Sequence, residues 1–195
     1  MTTAHVPAGD GRDGSARGWL RQARAFAQRY VRELFRNRAV LFWSVGFPVA
    51  FYLLIITVFI DTSAIPGATL PYVKAGTAVG YGMFGAIIAS LNSFGQQLAA
   101  DFEADRYMQY RSLPLAPSAD LAGRMAAGVA LSAVAFLAVL VAAIGTGAEF
   151  GLRSALSVPL VLVAFLTFTL VWMALAVLVA VVVEDTRYAS IITIS

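Results

Sequence analysis

Four stretches of this chain are free of charge, and each is about as long as a lipid bilayer is thick: Val40 to Ile60, Ala75 to Leu98, Met125 to Ile144 and Leu156 to Val183. Crossing roughly 30 Å of hydrocarbon at 1.5 Å per residue takes about 20 residues, so each stretch predicts a transmembrane helix. The first carries Pro48, a helix-disrupting residue that a membrane helix tolerates. The second is weaker, being rich in glycine and polar towards its end. The fourth runs 28 residues and exceeds a bilayer's need, so it should tilt or protrude. A fifth apolar run starts at Tyr188 and reaches Ser195. The expected fold is therefore an all-α polytopic membrane protein with four spans and the start of a fifth. The first run is no secretory signal: it begins some 40 residues in, and no A-x-A-like cleavage site follows it.

Composition excludes several chemistries. The chain is 59% hydrophobic and 13% charged, against about 25% charged in soluble domains. It has no cysteine, which removes disulfides, thiol catalysis and Cys-ligated zinc. The single histidine, His5, lies in a Gly/Asp-rich leader, residues 1–17, expected to be disordered. The single lysine, Lys74, precedes Ala75, so no G-x-x-x-x-G-K-[ST] phosphate loop exists.

Arginine placement predicts orientation. Arg12, Arg17, Arg21, Arg24, Arg29, Arg32, Arg36 and Arg38 precede the first span, Arg106, Arg111 and Arg124 lie between spans two and three, and Arg187 follows span four. Only Lys74 and Arg153 fall in the other two loops. Cytoplasmic loops carry the excess of basic residues, so the N-terminus and the loop after span two are expected in the cytoplasm. Residues 18–38 also read as a basic amphipathic helix, because Trp19, Ala23, Phe26, Tyr30, Val31, Leu34 and Phe35 recur at three- and four-residue steps among the arginines. Such a helix lies in the headgroup plane of a membrane. A plain topology signal would not need the apolar stripe, and a nucleic-acid patch does not suit a segment tethered to a bilayer.

Inside the spans there are no carboxylates: Asp10, Asp13, Glu33, Asp61, Asp101, Glu103, Asp105, Asp120, Glu149, Glu184 and Asp185 all fall in the leader, in loops or at span ends. Ion-coupled pumps carry their ion on ionisable groups at membrane depth, so transport here would need another energy source. Small and polar residues are present instead. Gly76 and Gly80 form a G-x-x-x-G, Ala78, Gly82, Ala86 and Ser90 form a second small stripe, and Asn92 and Gln96 share a face near the end of span two. Two readings stay open for these residues, close helix packing and the lining of a path. Tyr52, Thr57 and Tyr81 are further candidates for a cavity, with their rotation undetermined.

The longest internal loop, residues 99–124, joins spans two and three. Residues 101–113 contain few helix breakers and stop at Pro114. A helical wheel groups Phe102, Arg106, Tyr110 and Leu113, with Glu103 and Tyr107 adjoining. Aromatic rings and arginine on one face suit a protein docking surface, while an amphipathic loop helix resting on the membrane is the equal alternative.

The order of basic amphipathic helix, Pro-containing first span, polar-ended second span and "FEADRYMQYRSLPLAPSADLAGRMAAG" resembles the permease subunit of type-2 ABC transporters, an exporter family. Glu103, Arg106, Arg111, Leu113, Pro114, Leu121, Gly123 and Arg124 resemble its acidic start, coupling helix, Leu-Pro pair and small-residue entry to span three. The chain departs from the family in lacking a glycine after the acidic start, and in ending as a fifth of about six spans begins, as a truncated permease would. The resemblance implies a separate ATPase subunit, with ATP and magnesium on that partner and no cofactor on this chain. It also implies a second permease copy, a cell-membrane location, and transport of an amphiphilic drug, lipid or polysaccharide. The chain itself would not be an enzyme. Rival readings are a non-transporting scaffold or assembly protein and an ion-coupled small multidrug carrier.

Overall fold

The computed structural model describes residues 11–60, 63–92, 116–151 and 154–193, with backbone alone at 11–15 and 180–193. Every regular element among them is helical. Helix α1 (Gly11–Arg36) is followed, after Asn37 alone, by α2 (Arg38–Phe59). Then come α3 (Leu70–Ser90), α4 (Pro117–Gly145) and α5 (Ser157–Thr193). Arg38–Phe59, Pro117–Gly145 and Ser157–Val179 are each long and apolar enough to cross a membrane. Helix α3 has 21 residues; that length also spans roughly 30 Å, but its glycines, threonine, tyrosines and lysine make it less apolar.

The break at Asn37 is built locally. Its backbone N–H donates to Leu34 O at 3.2 Å, and its side-chain Oδ1 accepts from the N–H groups of Ala39 and Val40. Asparagine is a preferred N-cap because its side chain satisfies these first, otherwise orphaned donors. Helix α2 then contains two wide π-helical turns, Phe42–Gly46 and Ile55–Phe59. The first directly precedes Pro48, which cannot donate to the Ser44 carbonyl four residues back. Gly85 of α3 covers this point, where an added Cβ would stand 3.2 Å from Pro48 Cγ and 3.3 Å from Ser44 O.

Several expected boundaries change. Residues 11–17 belong to α1, not to a disordered leader. The helix over the expected second span begins at Leu70 rather than Ala75, because Pro71 is favoured in a first helical turn and Lys74 is accommodated beyond it, and it is not one of the three described helices long and apolar enough to cross a membrane. The third begins at Pro117 rather than Met125, so residues 117–124 leave the expected loop and add a charged, two-turn extension to the helix. A charged residue such as Arg124 ends only the apolar run and not the helix. Helix α5 continues without a break through 184–187, so no turn separates the fourth span from the run starting at Tyr188. That segment, Glu184 to Arg187, holds no glycine or proline to stop it.

Helix α4 is central. It packs most extensively on α1 and α3, and also touches α2 and α5. Ala78, Val139 and Ala143 join Tyr52 and Ile56 in one buried cluster, while Ala127 and Leu131 join Tyr30, Leu34, Val40 and Ala89 in another. Helix α5 attaches through Phe136 on Phe165, whose ring centroids lie 5.1 Å apart, and through Met173 and Ala176 near Met125 and Val129. Most of its remaining described surface is exposed leucine and valine, as expected of a helix bathed in lipid.

Glycine marks the closest approaches. A Cβ on Gly123 would stand 2.5 Å from Phe26 Cβ and 2.8 Å from the Ala27 backbone nitrogen; one on Gly82 would meet the Phe136 ring at 2.6 Å; one on Gly80 would meet nothing within 4 Å. Gly123→Ala is therefore expected to lower the unfolding temperature in detergent most, since backbone opposes it. Gly82→Ala should cost less, because a ring can turn. Gly80→Ala should be neutral or stabilising, by up to about 1 kcal/mol of helix propensity. A thermal unfolding series checks this order.

Candidate functional site

The end of α4 that receives the long loop is tied to α1 by side chains distant in sequence. Ala116 has φ −82° and ψ 116°, the extended backbone expected before a proline. Its N–H donates to Gln22 Oε1 at 3.1 Å. One turn into α4, the Trp19 indole Nε1 donates to Ser118 Oγ at 2.9 Å. Deeper still, the Tyr30 hydroxyl donates to Asp120 Oδ1 at 2.6 Å, and Arg124 Nε donates to Asp120 Oδ2 at 3.1 Å. The Arg124 guanidinium carbon lies 4.6 Å from the centroid of the Tyr30 ring, within cation–π range. Each of the three residues thus contacts the other two. Asp120 is 7% exposed and Arg124 3%.

Local sequence explains this arrangement. Asp120 stands in the first turn of α4, where a negative charge meets the unsatisfied N–H groups of the helix start. Arg124 follows four residues later, on the same face. Trp19, Gln22, Phe26 and Tyr30 lie at three- and four-residue steps along α1 and form one stripe, and Gly123 lets that stripe come into backbone contact. The stripe expected to lie against the membrane thus packs on α4, and most of the arginines of α1 face outward: Arg17, Arg21, Arg24, Arg32 and Arg36 are all exposed.

The opposite end of α4 is closed by other means. Gly147, at φ 81°, follows the helix in the left-handed conformation. Gly147 N–H donates to Ile144 O and Ala148 N–H to Ala143 O, the paired bonds of a Schellman cap. Lys74 Nζ donates to Thr146 O at 2.7 Å, bringing a positive charge to the negative end of the helix dipole. The Tyr52 hydroxyl lies 2.8 Å from Thr146 Oγ1.

The candidates read from sequence fall into three groups. Gly82 and Ser90 are buried in helix packing, Ser90 Oγ donating to its own helix at Ala86 O. Asn92 bridges helices, its Nδ2 donating to Ser44 Oγ at 3.1 Å. Gly76 and Gly80 lie on the exposed side of α3, so this G-x-x-x-G makes no close helix contact among the described residues. Gln96 and the loop set Phe102, Glu103, Arg106, Tyr107, Tyr110, Arg111, Leu113 and Pro114 lie outside the described residues. Of the other cavity candidates, Tyr52 is fully buried, and Thr57 donates back to Leu53 O. Tyr30 and Gln22 were not among the candidates, since their partners lie 90 and 94 residues away.

Compared with known protein families, residues 21–195 match the model of the ABC-2 type transporter. The chain belongs to the ABC-2 type transporter family. It is thus a membrane permease of an ABC transporter. No curated protein and no solved structure matched it. The matched region of the permease takes in Gln22, Phe26 and Tyr30 of α1 together with all of α4, so the junction between them lies within the family's domain.

Removing one member of a buried ion pair costs roughly 3–5 kcal/mol, because the other charge is left uncompensated. Asp120→Asn in the permease is expected to lose stability on that scale. Tyr30→Phe should lose roughly 1.5–3 kcal/mol, as for a hydrogen bond to a charged group. Combining Asp120→Asn with Arg124→Gln should cost less than the sum of the two, as coupled neighbours do. Unfolding of the four variants in one detergent measures all three.

Proposed function

We propose that this chain is the membrane-spanning subunit of an ATP-driven exporter, and that a separate ATPase subunit docks on the loop around residues 101–114. In this reading α2, α3, α4 and α5 are the four spans, the N-terminus and that loop are cytoplasmic, and a second permease copy completes the path for an amphiphilic substrate. ATP and magnesium sit on the partner. The observation that carries the reading is the polar junction at the loop's end. Gln22, Trp19 and Tyr30 of α1 grip Ala116, Ser118 and Asp120, immediately after the loop. A push received by the loop therefore meets α1 and α4 together, and α4 contacts every other helix. Arginine placement supports the orientation, with Lys74 and Arg153 alone assigned to the far side.

The test is capture of the ATPase by the tagged permease in membranes. Glu103→Arg with Arg106→Glu, a charge reversal in the loop, is expected to abolish capture and substrate export together while the permease still inserts. Unchanged capture by this variant would place the ATPase contact elsewhere. Export that collapses with the proton gradient but persists without ATP would overturn the energy source.

A further inference from the structure

Helix α1 carries a second patterned face, turned away from α4. Between Gly11 and Arg36 the sequence has seven arginines, at 12, 17, 21, 24, 29, 32 and 36, against two carboxylates, Asp13 and Glu33. Arg17, Arg21, Arg24 and Arg32 fall within less than a quarter of the helical wheel at 100° per residue, opposite the Trp19, Phe26 and Tyr30 stripe. All four are exposed. Beside and within this arginine strip stand Leu20, 60% exposed, and Phe35, 38% exposed, although both are large and apolar. The apolar stripe of the helix is thus covered by α4, and two further large apolar side chains lie uncovered among the arginines.

The level of this face in the membrane follows from Asn37. That residue alone separates α1 from α2, and α2 crosses the bilayer from Arg38. The C-terminal end of α1 is therefore held where hydrocarbon gives way to headgroups. Arg32 and Phe35 stand at that level, with Arg24, Arg21 and Arg17 continuing the strip along the helix, and this matches an anionic lipid surface, where guanidinium groups meet phosphate and an apolar ring enters the acyl boundary.

We propose that the outward face of α1 binds anionic phospholipid headgroups through Arg17, Arg21, Arg24 and Arg32, and that this occupancy sets the position of the loop's end at Ala116. The link is the grip already described, since the helix that carries the arginines also holds Ala116 and Ser118 through Gln22 and Trp19. Lipid composition would then regulate how the loop is presented to its partner. This inference rests on the reading that the α1 end lies at a membrane surface, but not on the identity of the ATPase.

The experiment uses the full chain in nanodiscs of phosphatidylcholine alone or with one third phosphatidylglycerol, without any ATPase. Lipids retained by the purified protein are counted by mass spectrometry, and amide exchange is followed at residues 116–124. Phosphatidylglycerol is expected to be enriched over phosphatidylcholine and to slow exchange at 116–124. Replacing the four arginines by glutamine should remove both effects, with the preference falling about fivefold per arginine. Four lysines in their place should retain most of the enrichment, and about 1 M salt should reduce it. Equal retention of the two lipids, or enrichment undiminished in the glutamine variant, would overturn the proposal. So would enrichment that leaves exchange at 116–124 unchanged, for the regulatory half. Failure of the Glu103 and Arg106 test, by contrast, leaves these lipid readouts untouched.

Discussion

Helices in a bilayer gain little from hiding apolar surface from one another, because lipid tails are as apolar as leucine. They associate through close van der Waals contact and hydrogen bonds between helices. This chain meets that constraint by giving one helix small residues on several sides. Gly123 and Ala127 receive α1, Ala135 approaches Gly85 of α3, Ser132 Oγ donates to Ala86 O, and Ala143 joins the cluster around Tyr52. Larger side chains at these places would hold the neighbours off, and α4 would lose its position at the centre of the bundle. The aliphatic surface of α5 follows the opposite rule, since lipid requires no complementary shape.

Charge is scarce in this protein, and among the described residues two uses of it away from the surface bracket α4. At the helix start, Asp120 is held by Tyr30 and Arg124 and itself complements the free N–H groups. At the helix end, Lys74 approaches the carbonyl of Thr146. Both placements agree with the helix dipole, so they align the helix electrostatically as well as mechanically. They also join α4 to two different helices, α1 at one end and α3 at the other. A rotation of α4 would strain both attachments at once.

Much of the fold was legible in the sequence because lipid imposes a length and an absence of charge. The runs beginning at Val40 and Leu156 recover α2 and the apolar part of α5 on that criterion alone. The start of α4 was not recovered, because the criterion detects hydrocarbon and the first two turns of that helix carry Asp120 and Arg124. Their spacing of four residues, three after a proline, was the available local signal. The partnership of Tyr30 with Asp120 had none, since periodicity shows that a stripe faces something without showing what. For the same reason the stripe of α1 read as a membrane face, when α4 takes its centre and Phe35 remains exposed. Likewise the glycine pair 76 and 80 had the spacing of a packing motif, while the packing itself fell to Gly82, Gly85 and Gly123.

The proline in α2 has a mechanical meaning. Below it, Val40 and Leu41 belong to the cluster around α1; above it, Tyr52 and Ile56 belong to the cluster at Ala143 and Ala148. Between them residue 48 contributes no N–H, the preceding turn is already widened, and Gly85 lets α3 approach closely at this point. Flexing there breaks no hydrogen bond from residue 48, so α2 is expected to bend there more readily than elsewhere. Helix α4 runs for 29 residues with no proline beyond its first turn. Helices α2 and α4 therefore differ at mid-bundle: α2 is expected to bend at residue 48, and α4 to move as one piece.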